Sequence, residues 1–105
     1  MGMLILTRYA GEAIIVGKDD DKVVVRYLGV DRDSKLPRLI VKGNQPVEVL
    51  GNGDIVAECQ GKPVHIRQLG LDTFSDQVRI GIDAPREIGV HREEIFTVLH
   101  GPLGS

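Results

Sequence analysis

The sequence is short of several things that define common protein classes. Among its 105 residues there is no tryptophan, and only two tyrosines and two phenylalanines are present. An aromatic platform for stacking single-stranded bases is therefore not expected. One cysteine, Cys59, excludes an internal disulfide framework and a multi-cysteine zinc site, and reads as a small buried or half-buried thiol of a cytosolic protein. No apolar run approaches the roughly 18 residues of a membrane-spanning helix. Residues Met1 to Leu6 lack the basic region and long apolar stretch of a secretory signal. Alanine, the best helix former, occurs 4 times against 23 valines and isoleucines together, so a helical bundle is not expected. The formal charge of -2 gives no overall attraction to nucleic acid.

What is present is a series of short β-branched runs between turn signals. Strands are expected at Met3–Thr7, Ala13–Val16, Lys22–Leu28, Arg38–Lys42, Val47–Leu50, Ile55–Cys59, Val64–Leu69, Gln77–Ile82 and Ile88–His91. The breaks are Ala10-Gly11-Glu12, Gly17 with Asp19-Asp20-Asp21, Gly43-Asn44-Gln45-Pro46, Gly51-Asn52-Gly53 and Asp83-Ala84-Pro85. Arg92 to Leu99 suits a short helix with Glu93 and Glu94 in its first turn, where they favour the dipole and face solvent. The whole predicts a mainly β, compact antiparallel protein, one domain over 1–100 with a short C-terminal helix. Residues 101–105 look like a protease-site remnant, and Met1-Gly2 like an addition.

The chain also repeats itself. Lys22–Ile40 laid on Pro63–Gly81 gives 7 identities in 19 positions at a constant offset of 41: Val23/Val64, Arg26/Arg67, Leu28/Leu69, Gly29/Gly70, Asp31/Asp72, Ser34/Ser75 and Arg38/Arg79. Repeat one covers about 3–50 and repeat two about 46–100. They share Val47–Leu50, which counts as the last strand of the first and the opening strand of the second. The four repeated arginines read as outward strand residues.

No catalytic constellation occurs. His65, His91 and His100 lack metal spacing, and there is neither a phosphate loop nor a Gly-x-Ser-x-Gly nucleophile motif. An enzyme, a metal and a cofactor are not expected.

The two ends carry a more specific signal. Met3-Leu4-Ile5-Leu6-Thr7-Arg8 with Gly11-Glu12 opens the chain, and the ungapped run from Gln77 through Asp83-Ala84-Pro85-Arg86-Glu87-Ile88-Gly89-Val90-His91-Arg92-Glu93-Glu94 closes it. These stretches closely resemble the carbon storage regulator family (CsrA/RsmA) of bacterial post-transcriptional regulators. The resemblance implies a cytoplasmic, non-enzymatic translational regulator. It implies interlaced five-stranded chains whose first and last strands, from different subunits, form two RNA sites. Each site would hold a GGA element displayed in a hairpin loop of a messenger leader or small regulatory RNA. By position, the implied RNA-binding residues are Leu6, Thr7, Arg8 and Tyr9 on the first strand, Ala84, Pro85, Arg86 and Ile88 in the loop, and Val90, His91 and Arg92 on the last strand. Tyr9 stands where the family commonly has a second arginine, which removes one phosphate contact.

Repeat and resemblance together predict a fused pseudo-dimer of two degenerate repeats. Leu6–Arg8 and Val90–Arg92 would form one RNA site, and Val47-Glu48-Val49-Leu50, without an arginine, would not form the other. The alternative architecture is an intertwined homodimer with 31–76 as an insertion. The alternative function is a protein-interaction module or decoy, held by a partner such as the flagellar-assembly antagonist FliW, with little RNA binding.

Overall fold

Alternation of buried and exposed positions sets the strands. In Val23–Val30, Val23, Val25 and Tyr27 are buried while Val24 and Arg26 are only partly covered, as expected of a strand with one face on a core. The computed structural model describes residues 3–43, 45–72 and 74–103. Asn44 of the expected 43–46 turn, the Met1-Gly2 addition and Gly104-Ser105 of the expected remnant lie outside the described residues.

In chain order the elements are β1 (Leu4–Arg8), β2 (Ala13–Val16), β3 (Val23–Val30), β4 (Pro37–Lys42), β5 (Pro46–Leu50), β6 (Asp54–Cys59), β7 (Lys62–Asp72), β8 (Gln77–Asp83), β9 (Val90–Arg92) and α1 (Glu93–His100). One sheet has the order β1-β8-β7-β6 and the other β5-β4-β3-β2-β9. Every ladder is antiparallel. The last strand starts later than the sequence suggested. Ile88 N–H donates to Pro85 O at 3.0 Å, which makes 85–88 a turn, and the Ile88 side chain is buried.

The core lies between the two sheets. Ile14, Val16, Val23, Val25, Tyr27, Leu39 and Val41 from one meet Val64, Ile66, Val78, Ile80 and Ile82 from the other. A smaller cluster sits outside the five-stranded sheet, where Phe96 of α1 covers Ala13 and Ile15. No helix among the described residues is long and apolar enough to cross a membrane.

The offset of 41 has a structural counterpart. β2 pairs with β3 from Ala13↔Arg26, and β6 with β7 from Asp54↔Arg67. The β3–β4 ladder shifts between Tyr27 and Gly29, and the β7–β8 ladder between Gln68 and Gly70. Both glycines take positive φ, 105° and 149°, the conformation that a bulge asks of a residue without Cβ. The two hairpin turns also match. Ser34 donates its N–H and Oγ to the Asp31 carboxylate, and the Phe74 N–H donates to Asp72 Oδ1. Each turn closes on a non-glycine residue at positive φ, Lys35 in one and Asp76 in the other. The repeated Gly, Asp and Ser are thus bulge and turn residues.

The flanking strands complete the comparison. β1 lies on β8 with Leu4↔Ile82 to Arg8↔Val78, and β5 lies on β4 with Val47↔Val41 to Leu50↔Arg38. β5 therefore occupies the place of an opening strand, and Gly51 follows it where Arg8 ends β1. β9 lies on β2. Among the described residues β6, the counterpart of β2, has a neighbour only on its β7 side.

Candidate nucleic-acid interface

β1 is the edge of the four-stranded sheet and β9 the edge of the five-stranded one. They meet through a cross-brace. Arg8, only 4 % exposed, donates from Nη1 and Nη2 to Glu94 Oε1 and Oε2 at 2.7 and 2.9 Å. Its Nε donates to Thr7 O, and Nη1 also reaches Ala13 O. A bidentate carboxylate pair and two carbonyls occupy four of the five N–H donors of this guanidinium. The hydrogen bonds to Glu94 raise the Arg8 pKa above its ordinary value, against the opposing effect of burial.

Glu93 and Glu94 do more than face solvent at the helix start, as the sequence reading had them. Glu93 receives both ends of the Arg26 guanidinium at 3.1 and 3.0 Å, and Glu94 receives Arg8. Consecutive helical residues point about 100° apart, so one turn braces α1 to two strands. Hydrogen bonds from Arg8, and then a backbone N–H at the helix start, hold the Glu94 carboxyl down to about 2, below its ordinary 4.5. A depressed carboxyl contributes stability that is complete above 4.5 and lost as pH falls through about 2. Because the Glu94 side chain is half exposed, screening limits the contribution to on the order of 1 kcal/mol. Denaturant melts at pH 5 and pH 2 should therefore show Glu94→Gln less stable than the parent at pH 5, with the gap narrowing at pH 2.

Around this brace the expected residues divide into groups. Thr7, Tyr9, Gln77 and Arg92 surround a shallow depression with Arg8, Glu12 and Glu94. Tyr9 is half exposed, and its N–H is held by Glu12 Oε1 at 2.8 Å. Arg92 is exposed, and no hydrogen bond or ion pair engages its side chain among the described residues. Its charge acts only at a distance, helping to stabilise the Glu94 carboxylate. Leu6 and Val90 turn inward and pack on the core.

His91 faces the other way. Strand alternation directs it into a pocket of about 190 Å³ with Lys18, Gln60, Glu87 and His100. The loop residues sit at the opposite end of β9 from Arg92. Ala84 and Pro85 are partly covered, Arg86 is exposed and Ile88 is in the core. Only its backbone leaves Ile88 available to a ligand, and its N–H is already engaged by Pro85. The loop is tied down by Gly17 N–H to Gly89 O at 2.9 Å and by the Lys62–Glu87 ion pair.

The repeated arginines are largely engaged. Arg38 pairs with Glu48 and Arg67 with Asp54. Cys59 is fully buried, and burial, followed by Asp21 and Asp19, pushes its thiol up. Among the described residues no group of three or more His, Cys, Asp or Glu side chains could hold a metal ion.

A family described as the CsrA global regulator protein family matches residues 61–100. The matched stretch contains β7, β8, the loop, β9 and α1. The chain is also 29 % identical over 106 residues to a D-alanine--D-alanine ligase of Ruminiclostridium cellulolyticum, a match spanning 95 % of this chain and 26 % of the ligase. The chain thus spans about a quarter of that relative's length. No solved structure matches it.

Proposed function

We propose, from the match of residues 61–100 to the CsrA global regulator protein family, that the chain is an RNA-binding regulator of that family and binds GGA-type loops of messenger leaders at the meeting of β1 and β9. The observation that carries the reading is Arg92, an exposed cation without a hydrogen bond or ion pair among the described residues, on one sheet edge beside Thr7 and Tyr9 on the other. RNA loops expose base edges that a strand edge can hydrogen-bond, and aromatic faces can stack on splayed bases. Arg92 supplies the phosphate contact, Thr7 and the 84–88 backbone address base edges, and Tyr9 stacks. Arg8 positions β1 against β9 without touching RNA. Binding over a start region would exclude ribosomes in the cytoplasm.

We read the two repeats as a family dimer fused into one chain. β1–β4 form the first unit and β5–β9 the second, with the closing strand of the first absent. The chain then acts as a monomer with one RNA site. A gel-shift titration with a GGA hairpin and its CCA variant, alongside solution mass, tests this. We expect one RNA per monomer, with the GGA loop bound about tenfold or more tighter, because an unpaired polar edge in a built site is costly. Equal affinities would end the RNA reading. A dimeric mass with two RNA equivalents would end the single-site architecture.

The second reading, a partner-binding decoy held by a FliW-like antagonist, draws on the scarcity of free cations. Arg8 is neutralised, and the carboxylates of Glu12 and Glu94 stand beside Arg92. That reading expects weak RNA binding and a stable complex with the antagonist.

A further inference from the structure

The outer edge of β6 differs from its counterpart in one instructive way. At the offset of 41, Ile14, Ile15 and Val16 of β2 correspond to Ile55, Val56 and Ala57 of β6. On β2 these residues receive β9, with Ile14↔Arg92, Ile15↔His91 and Val16↔Val90. Ile15 is fully buried under Phe96, and Val90 packs on the core. On β6 the counterpart of Ile15, Val56, is 59 % exposed. Where a side chain corresponding to Val90 would enter, a cleft of about 380 Å³ opens between β5 and β6. Val41, Val47, Ile55 and Ala57 line it, with Glu58 at its rim.

We propose that this edge is a docking site for an extended segment of a partner protein, a strand with apolar side chains flanked by basic ones. The segment would add to β6 antiparallel, as β9 adds to β2, completing that sheet by β-augmentation. Side chains directly across a ladder share a face. A residue opposite Ala57 points into the cleft and has to be apolar. Residues opposite Glu58 and Asp54 lie on the outer face beside carboxylates. Glu58 has no cation partner among the described residues, so a lysine or arginine there meets an unbalanced charge.

The same charges disfavour other occupants. Two copies pairing β6 to β6 about Val56 would set Glu58 of each against Asp54 of the other, whose charge Arg67 already takes up, so Glu58 would gain no cation as it does from a basic strand. RNA would meet one carboxylate and no cation among the cleft-lining residues.

The test uses the whole chain and two labelled nine-residue peptides, with cores Lys-Val-Thr-Val-Lys and Glu-Val-Thr-Val-Glu. By fluorescence anisotropy the basic peptide should bind about tenfold tighter, chiefly because a lysine in place of a glutamate meets the unpaired Glu58, Asp54 being already held by Arg67. Amide shifts in NMR should fall on Val47, Val56 and Glu58. Glu58→Lys should narrow or invert the preference, and Val56→Lys should abolish binding. A GGA hairpin should not displace the peptide, which separates this edge from the proposed RNA site. Equal or absent binding of the two peptides, shifts centred on β1 or β9, displacement by the hairpin, or self-association of the free chain that Val56→Lys removes, would each overturn the proposal.

Discussion

Arg92→Ala is expected to weaken binding of a GGA hairpin by about 30-fold while leaving thermal stability within about 0.5 kcal/mol of the parent. The asymmetry follows from what Arg92 touches. Its side chain is exposed and makes no hydrogen bond or ion pair among the described residues, only a Coulombic interaction with Glu94, so truncating it strands no buried partner. On RNA it would make charge-assisted hydrogen bonds, the strongest kind available to a phosphate clamp. The slope of log affinity against log salt should flatten by about 0.7, the share of one phosphate contact on a single strand. Arg8→Ala must behave differently. It removes a buried guanidinium that joins β1 to α1 through Glu94, so its effect on RNA would come with a loss of stability. Filter-binding titrations over salt, paired with melts, separate the two arginines. An unchanged affinity for Arg92→Ala would remove the basis of the proposed interface.

The nine strands and one helix of the described residues were legible because each rests on local information: β-branched runs, breaking glycines and prolines, and an acidic first turn. The correspondence at an offset of 41 draws on the same kind of information, since the glycines, aspartates and serines it pairs lie at two bulges and two hairpin turns. The brace was not legible. Arg8 and Glu94 stand 86 residues apart, and neither neighbourhood announces the pairing. Sequence position alone put Arg8 among the RNA-binding residues and left Glu93 and Glu94 as solvated acids. A charge-balanced reading of the two ends, one arginine closing the first strand and two acids opening the helix, was the available signal. The role of Val47–Leu50 was half legible. Its apolar alternation marked a strand, but pairing to β4 gave it one neighbour and left β6 with an open side. Register between distant strands depends on what the core face buries, which no local pattern encodes.

A second large effect is expected at Gly17. This residue follows β2 at φ +86°, and a Cβ added to it would lie 2.6 Å from Cys59 Sγ. An L side chain in the left-handed region costs about 1–2 kcal/mol, and forcing a buried contact apart costs about 1–3 more. Gly17→Ala should therefore destabilise the chain by about 3 kcal/mol in denaturant melts. Cys59→Ala shortens the obstructing side chain, so the double variant should recover the steric part and retain the backbone strain. Recovery of about half the loss would apportion the two causes, and no recovery would show that the contact with Cys59 does not limit the site. The consequence reaches the interface. Gly17 N–H donates to Gly89 O at 2.9 Å, the bond that ties the 84–89 loop to the end of β2. A Gly17 side chain that pushes β2 from Cys59 moves this donor, and the loop backbone would lose its fixed presentation to a base. The double variant, melted and titrated with the GGA hairpin, should thus regain stability and RNA affinity together, because one hydrogen bond couples them.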